Sequence, residues 1–110
     1  MMKLDIDALC DEAEAAGLAW CDARAAADVL EETRKSVLAT TMASHLADAM
    51  PVSKAETLAL AEPAYQDFVR RMVSARKAAD RARVRYDILR TRIELLRTNS
   101  ATERAAMSMR

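Results

Sequence analysis

Few residues of this chain have the type and spacing for chemistry: two cysteines, one histidine, some neighbouring carboxylates and a set of regularly placed arginines. Cys10 and Cys21 are eleven residues apart in what reads as one helix, about 16 Å along the axis. They cannot bridge each other there, and without a CxxC pattern they read as reduced, structural thiols in a reducing compartment. His45 is the sole histidine, and no acidic residue lies three positions before it. The Glu-x-x-His pattern of di-metal helical bundles is therefore missing, and His45 reads as a residue complementing the negative end of a helix. Asp7 and Asp11 share a helix face but read as a solvated first turn. With one glycine no phosphate loop can form, and HExxH and GxSxG do not occur. The expectation is a non-enzyme with no catalytic residue, metal or cofactor.

The arginines remain, and they are organised by a heptad. Phe68, Met72, Ala75, Ala79, Ala82, Tyr86, Leu89, Ile93, Leu96 and Ser100 follow one another in alternating steps of 4 and 3. Such a 3.5-residue repeat keeps one line of side chains facing a partner helix. With Met72, Ala79, Tyr86 and Ile93 as position a, the e positions are Arg76, Arg83, Arg90 and Arg97. Three g positions are Arg71, Arg85 and Arg92. Asp80, Asp87 and Glu94 each precede an e-position arginine by three residues, a spacing that predicts pairs of roughly 0.2–0.5 kcal/mol each. The g row has no such help. Two copies meeting along this seam would set arginine against arginine, so the seam should face something acidic or neutral. These seven arginines are the candidate residues for binding a partner or a nucleic acid.

The elements that must position them are helical. Alanine, leucine, arginine and glutamate dominate, and the 110 residues include one Gly and two Pro. Residues 4–49 read as one long helix with Asp5 or Asp7 as N-cap. Its seam is Ile6, Leu9, Ala13, Ala16, Trp20, Ala23, Ala27, Leu30, Val37 and Thr41, interrupted at Arg34. Gly17 marks either a close helix crossing or a local break. Trp20 reads as a seam anchor opposite small alanines; the alternative is a base-stacking ring. Asp5, Glu12 and Glu31 flank the seam and can meet the arginine rows. Met50-Pro51 should end the helix. Ser53-Lys54-Ala55-Glu56 forms a capping box that predicts a short helix from Lys54 to about Ala61, inside a turn spanning 50–62. Pro63 suits the first turn of the second long helix, 63–98. Ser100-Ala101-Thr102-Glu103 predicts a separate short helix over 101–107. Its Met107 and Met109 would serve either a fraying end or a partner-docking tail.

Charge is divided between the halves. Residues 1–50 hold ten acidic and four basic side chains, a net of −6; residues 51–110 hold seven and thirteen, a net of +6. Either the acidic half covers the basic half, or part of the basic surface stays free for an anionic partner. No apolar run approaches the ~20 residues needed to span a bilayer, so no membrane role and a cytoplasmic location are expected.

From Glu62 onward the chain resembles a loosely defined group of small helical proteins of bacteriophages and prophages. The resemblance lies in Glu62-Pro63-Ala64-Tyr65, Ala75-Arg76, Ala82-Arg83-x-x-Tyr86, Leu96-Arg97-Thr98 and Ala101-Thr102-Glu103-Arg104-Ala105-Ala106-Met107. It implies an accessory to strand annealing or single-strand binding in a bacterial host, and carries over no functional residues.

Together these observations predict an all-α protein, a single domain built as a long antiparallel helical hairpin, coiled-coil-like, with short helices at the turn and C-terminus. Tyr65, Val69, Val73, Val84, Ile88 and Leu95 lie off the main seam. Of these, Val84, Ile88 and Leu95 predict a second contact surface and hence a homo-oligomer. The expected function is a helical interaction module for a protein partner. The alternative is weak, sequence-independent binding of single-stranded nucleic acid by the arginines.

Overall fold

The computed structural model describes residues 6–47 and 49–109. They form three helices, α1 (Ile6–Leu46), α2 (Val52–Ala61) and α3 (Pro63–Ser108), with no strand among the described residues. The fold is an all-α helical hairpin. The expected start at residue 4 and the expected cap Asp5 lie outside the described residues; Asp7 sits within the first turn of α1 rather than before it.

α1 ends earlier than residue 49. Thr40, Thr41 and Ser44 turn their hydroxyls back onto the carbonyls of Ser36, Val37 and Thr41 at 2.8–2.9 Å. After Leu46 the chain reaches Ala49 at φ 57°, whose N–H donates to the Leu46 carbonyl at 3.1 Å. A left-handed alanine costs about 1–2 kcal/mol, and here it closes the helix end as a glycine more often does.

Two capping boxes expected from the sequence do not form. α2 opens at Val52, two residues before Lys54, with Pro51 at its N-cap and no side-chain cap. Proline fixes φ and lacks an N–H, so it leads into the first turn unaided, and Ser53 is drawn inside, its carbonyl accepting the Thr57 hydroxyl at 3.0 Å. Likewise α3 does not stop at residue 98: it continues unbroken through Asn99 and Ser100 to Ser108. Thr98 and Thr102 bond back to the carbonyls of Glu94 and Thr98, both at 3.0 Å. Propagating a helix adds one backbone bond per residue, whereas a new helix needs a new nucleus. The expected separate 101–107 helix is therefore the last turns of α3. Pro63 does open α3 as its position implies, forcing Glu62 into extended backbone (φ −61°, ψ 133°).

Packing gathers into two units: the described residues of Met1–Asp22 with those of Asp80–Arg110, and Ala23–Ala79. In the first, Ala13, Ala16 and Leu89 are buried, with Leu9, Tyr86 and Ile93 against them. In the second, Ala27, Ala55, Ala59, Tyr65, Phe68 and Ala79 are buried, with the Tyr65 and Phe68 rings 6.5 Å apart. Burial along α3 follows the heptad: every seam position from Phe68 to Leu96 is buried or half-buried, and only Ser100 is exposed. Tyr65, expected off the seam, is 3% exposed and extends it by one step. Within each unit α1 and α3 run antiparallel: Glu12 meets Arg85 and Trp20 meets Arg83 in the first, while in the second Glu31 meets Arg76 and His45, further along α1, meets Glu62 just before α3.

Candidate partner-binding surface

The antiparallel seam decides which arginines find acids, because it sets e against e and g against g. Arg76 is the best served. Its guanidinium bonds Glu31 through Nε (3.0 Å) and Nη2 (2.7 Å), and Asp28 through Nη2 (2.6 Å). These bonds hold the Glu31 carboxyl below the usual carboxylate range and push the Arg76 guanidinium further up. Glu31 is legible in the sequence as a seam-flanking acid; Asp28, three residues before it on the same side of the helix, is an acid that the seam reading misses. Arg85 reaches Glu12 at 3.8 Å. Arg83 pairs with Asp87, also at 3.8 Å and at i,i+4.

The expected i,i+3 pairs Asp80–Arg83, Asp87–Arg90 and Glu94–Arg97 are not among the ion pairs of the described residues. At Arg83 and Arg90 aromatic faces compete with them. Arg83 lies over Trp20 and Arg90 over Tyr86, each 5.7 Å from the ring centroid, and Arg71 lies over Phe68 at 5.8 Å. An exposed cation–π contact is worth about 0.5–1 kcal/mol, more than a short surface pair on a helix.

Among the described residues, Arg71, Arg90, Arg92 and Arg97 have no carboxylate partner. α1 thus covers the arginine rows only in part.

The aromatic residues are committed within the fold. Trp20 and Tyr86 stack with centroids 5.8 Å apart and planes at 29°. Trp20 is the seam anchor its position implies, although it meets a tyrosine ring rather than alanine alone. Gly17 resolves in favour of a close crossing: α1 is unbroken there, and a Cβ would stand 3.1 Å from Tyr86 Cε1.

The second contact surface expected from the sequence lies on the outer side of α3, away from its seam with α1. Val84, Ile88 and Leu95 are 57%, 48% and 58% exposed. Val84, Asp87, Ile88, Thr91 and Arg92 line a shallow groove there. Val73 is exposed as well, whereas Val69 is half-buried. Met107 and Met109 at the end of α3 are also exposed.

Cys10 and Cys21 are free and exposed, so neither is the structural thiol expected. His45 does more than face a helix end: its Nε2 lies 3.1 Å from Glu62 Oε1, tying the end of α1 to the α2–α3 junction. No sequence spacing announces that pair, because the residues are 17 apart and joined only by the turn. Among the described residues no three His, Cys, Asp or Glu side chains are placed to hold a metal ion. No described helix is long and apolar enough to cross a membrane. No protein-family model, curated protein or solved structure matches the chain.

Proposed function

We propose that this protein is a non-enzymatic helical interaction module that assembles through the outer face of α3 and, as an oligomer, presents its helices to a protein partner. The observation that carries this reading is the uncovered apolar stripe Val84–Ile88–Leu95 on a helix whose other apolar line is already used by α1. Two helices bury one stripe each, and among the described residues no large side chain is fully buried. Such a thin core gains from further association. Replacing Ile88 with Glu places a charge in that stripe. The expected result is a drop in assembly size by analytical ultracentrifugation with helicity kept in the far-ultraviolet circular dichroism. Unchanged mass would remove the outer face as an interface.

A second reading is favoured by Arg71, Arg90, Arg92 and Arg97, which have no carboxylate partner among the described residues. They would bind single-stranded nucleic acid by charge, steeply weakened by salt, which suits the strand-annealing or single-strand-binding accessory role that the resemblance to small helical phage proteins implies. Stacking platforms are scarce: Tyr65 and Phe68 are buried, and Trp20 and Tyr86 stack on each other. Anisotropy of a labelled single-stranded oligonucleotide at low and near-physiological salt separates the readings. No binding at low salt removes the second.

A further inference from the structure

The outer face of α3 carries a second heptad, and its flanks are charged in a pattern that selects one partner orientation. Arg81, Ile88 and Leu95 recur every seven residues, and Val84, Thr91 and Thr98 follow each by three. All six are exposed. Taking the first set as position a and the second as position d, the g positions are Asp80, Asp87 and Glu94. The e positions are Arg85, Arg92 and Asn99. One edge of the stripe is therefore acidic and the other basic. The first seam is different, with arginines on both edges.

In a parallel pair of helices, a g residue meets the e residue five positions further along the other chain; in an antiparallel pair, g meets g and e meets e. Parallel alignment sets Asp80 against Arg85 of the second copy and Asp87 against Arg92 of the second copy, each twice by symmetry. Antiparallel alignment sets carboxylates against carboxylates and arginines against arginines. Within one chain these groups are available. Asp80 and Arg92 have no ion pair among the described residues, and those of Arg85 and Asp87 are long, at 3.8 Å. Asp87 and Arg92 also flank the groove that Val84, Ile88 and Thr91 line.

We infer that the occupant of this face is a second copy of the same chain, lying parallel and in register along residues 80–98 of α3. The inference rests on the reading that the outer face is an interface, and adds its partner and direction. Ile88 at an a position suits a two-stranded pairing. Arg81, Thr91 and Thr98 in the stripe make the pairing modest and concentration-dependent.

The test is sedimentation of the full chain over a concentration series, for the wild type, Asp87→Arg, Arg92→Glu and an equimolar mixture of the two variants. Each single reversal places like charges together at two symmetry-related contacts of a parallel dimer. The expected result is a dissociation constant raised on the order of tenfold at low salt, less so in 0.5 M salt. The mixture should recover wild-type association, because the arginine introduced at position 87 of one variant then meets the glutamate introduced at position 92 of the other. Recovery also shows that both variants are folded. Tighter association of Arg92→Glu would mean antiparallel pairing; an unchanged constant, or a mixture without recovery, would mean these charges do not meet. Either overturns the inference while leaving the interface reading intact if Ile88→Glu still disrupts assembly. A wild type that stays monomeric throughout overturns both.

Discussion

Gly17 offers the sharpest test of the packing between α1 and α3. In an open helix interior, glycine to alanine stabilises by about 1 kcal/mol. At this position the added Cβ would lie 3.1 Å from Tyr86 Cε1 and 3.3 Å from Cδ1, inside the 3.5–4.0 Å separation at which carbon contacts are favourable. The ring must therefore retreat by a few tenths of an ångström. It is not free to do so, because it stacks on Trp20 at 5.8 Å and carries the Arg90 guanidinium on a face. Overpacking of this kind costs about 1–3 kcal/mol. The helix gain is offset, and Gly17→Ala should change stability by between about 0 and −2 kcal/mol. In a Tyr86→Leu background the obstructing ring is gone, and the same substitution should recover most of the ~1 kcal/mol helix gain. Urea unfolding of the four members of this cycle at one fixed protein concentration measures the coupling. If Gly17→Ala stabilises the wild type by the full helix increment, the two helices do not approach as closely as Gly17 implies.

Three further outcomes follow from the same structure. Leu89 is 3% exposed and faces Ala13 and Ala16, which cannot collapse to fill a void, so Leu89→Ala should cost about 3 kcal/mol in urea unfolding. Ser100→Ala should be neutral or stabilising by a few tenths of a kcal/mol in thermal melts, because Ser100 lies inside α3; a loss of about 1 kcal/mol would restore it as an N-cap. Glu31 titrates below the usual carboxylate range because Arg76 hydrogen-bonds its ionised form. Its contribution is therefore fully present above about pH 4.3, the unfolded glutamate value, and disappears as pH falls through the lower folded value. Glu31→Gln should lose stability relative to wild type at pH 6, and the gap should close in acid; a gap that is constant with pH would mean that the ion pair contributes nothing.

The long-range periodic signal is legible in this sequence, while the local stop and start signals mislead, for one physical reason. A heptad seam reports an average over ten positions, and each position adds to the same buried line; Tyr65, expected off the seam, lies three residues before Phe68 and seven before Met72 and continues it. Ser53 and Ser100 each begin a serine-to-glutamate spacing, but a capping box has force only where the chain already leaves helical geometry. Pro51 moves that point upstream of Ser53, and nothing moves it to Ser100, since Thr98 and Thr102 satisfy their hydroxyls on the helix itself. The arginines divide along the same line. Arg76 and Arg85 find acids because the antiparallel register brings Glu31 and Glu12 to them, which follows from the seam. That Arg83 and Arg90 turn onto rings follows only once Trp20 and Tyr86 are known to stack beside them. The outer heptad of α3 belongs with the periodic signals. By hydropathy it shows only as three apolar residues, because Arg81, Thr91 and Thr98 dilute it; its edges, one acidic and one basic, carry the information. The first seam has arginine on both edges and is closed by a different helix of the same chain. The second has opposite charges on its two edges, the arrangement that lets a helix pair in parallel with its own copy.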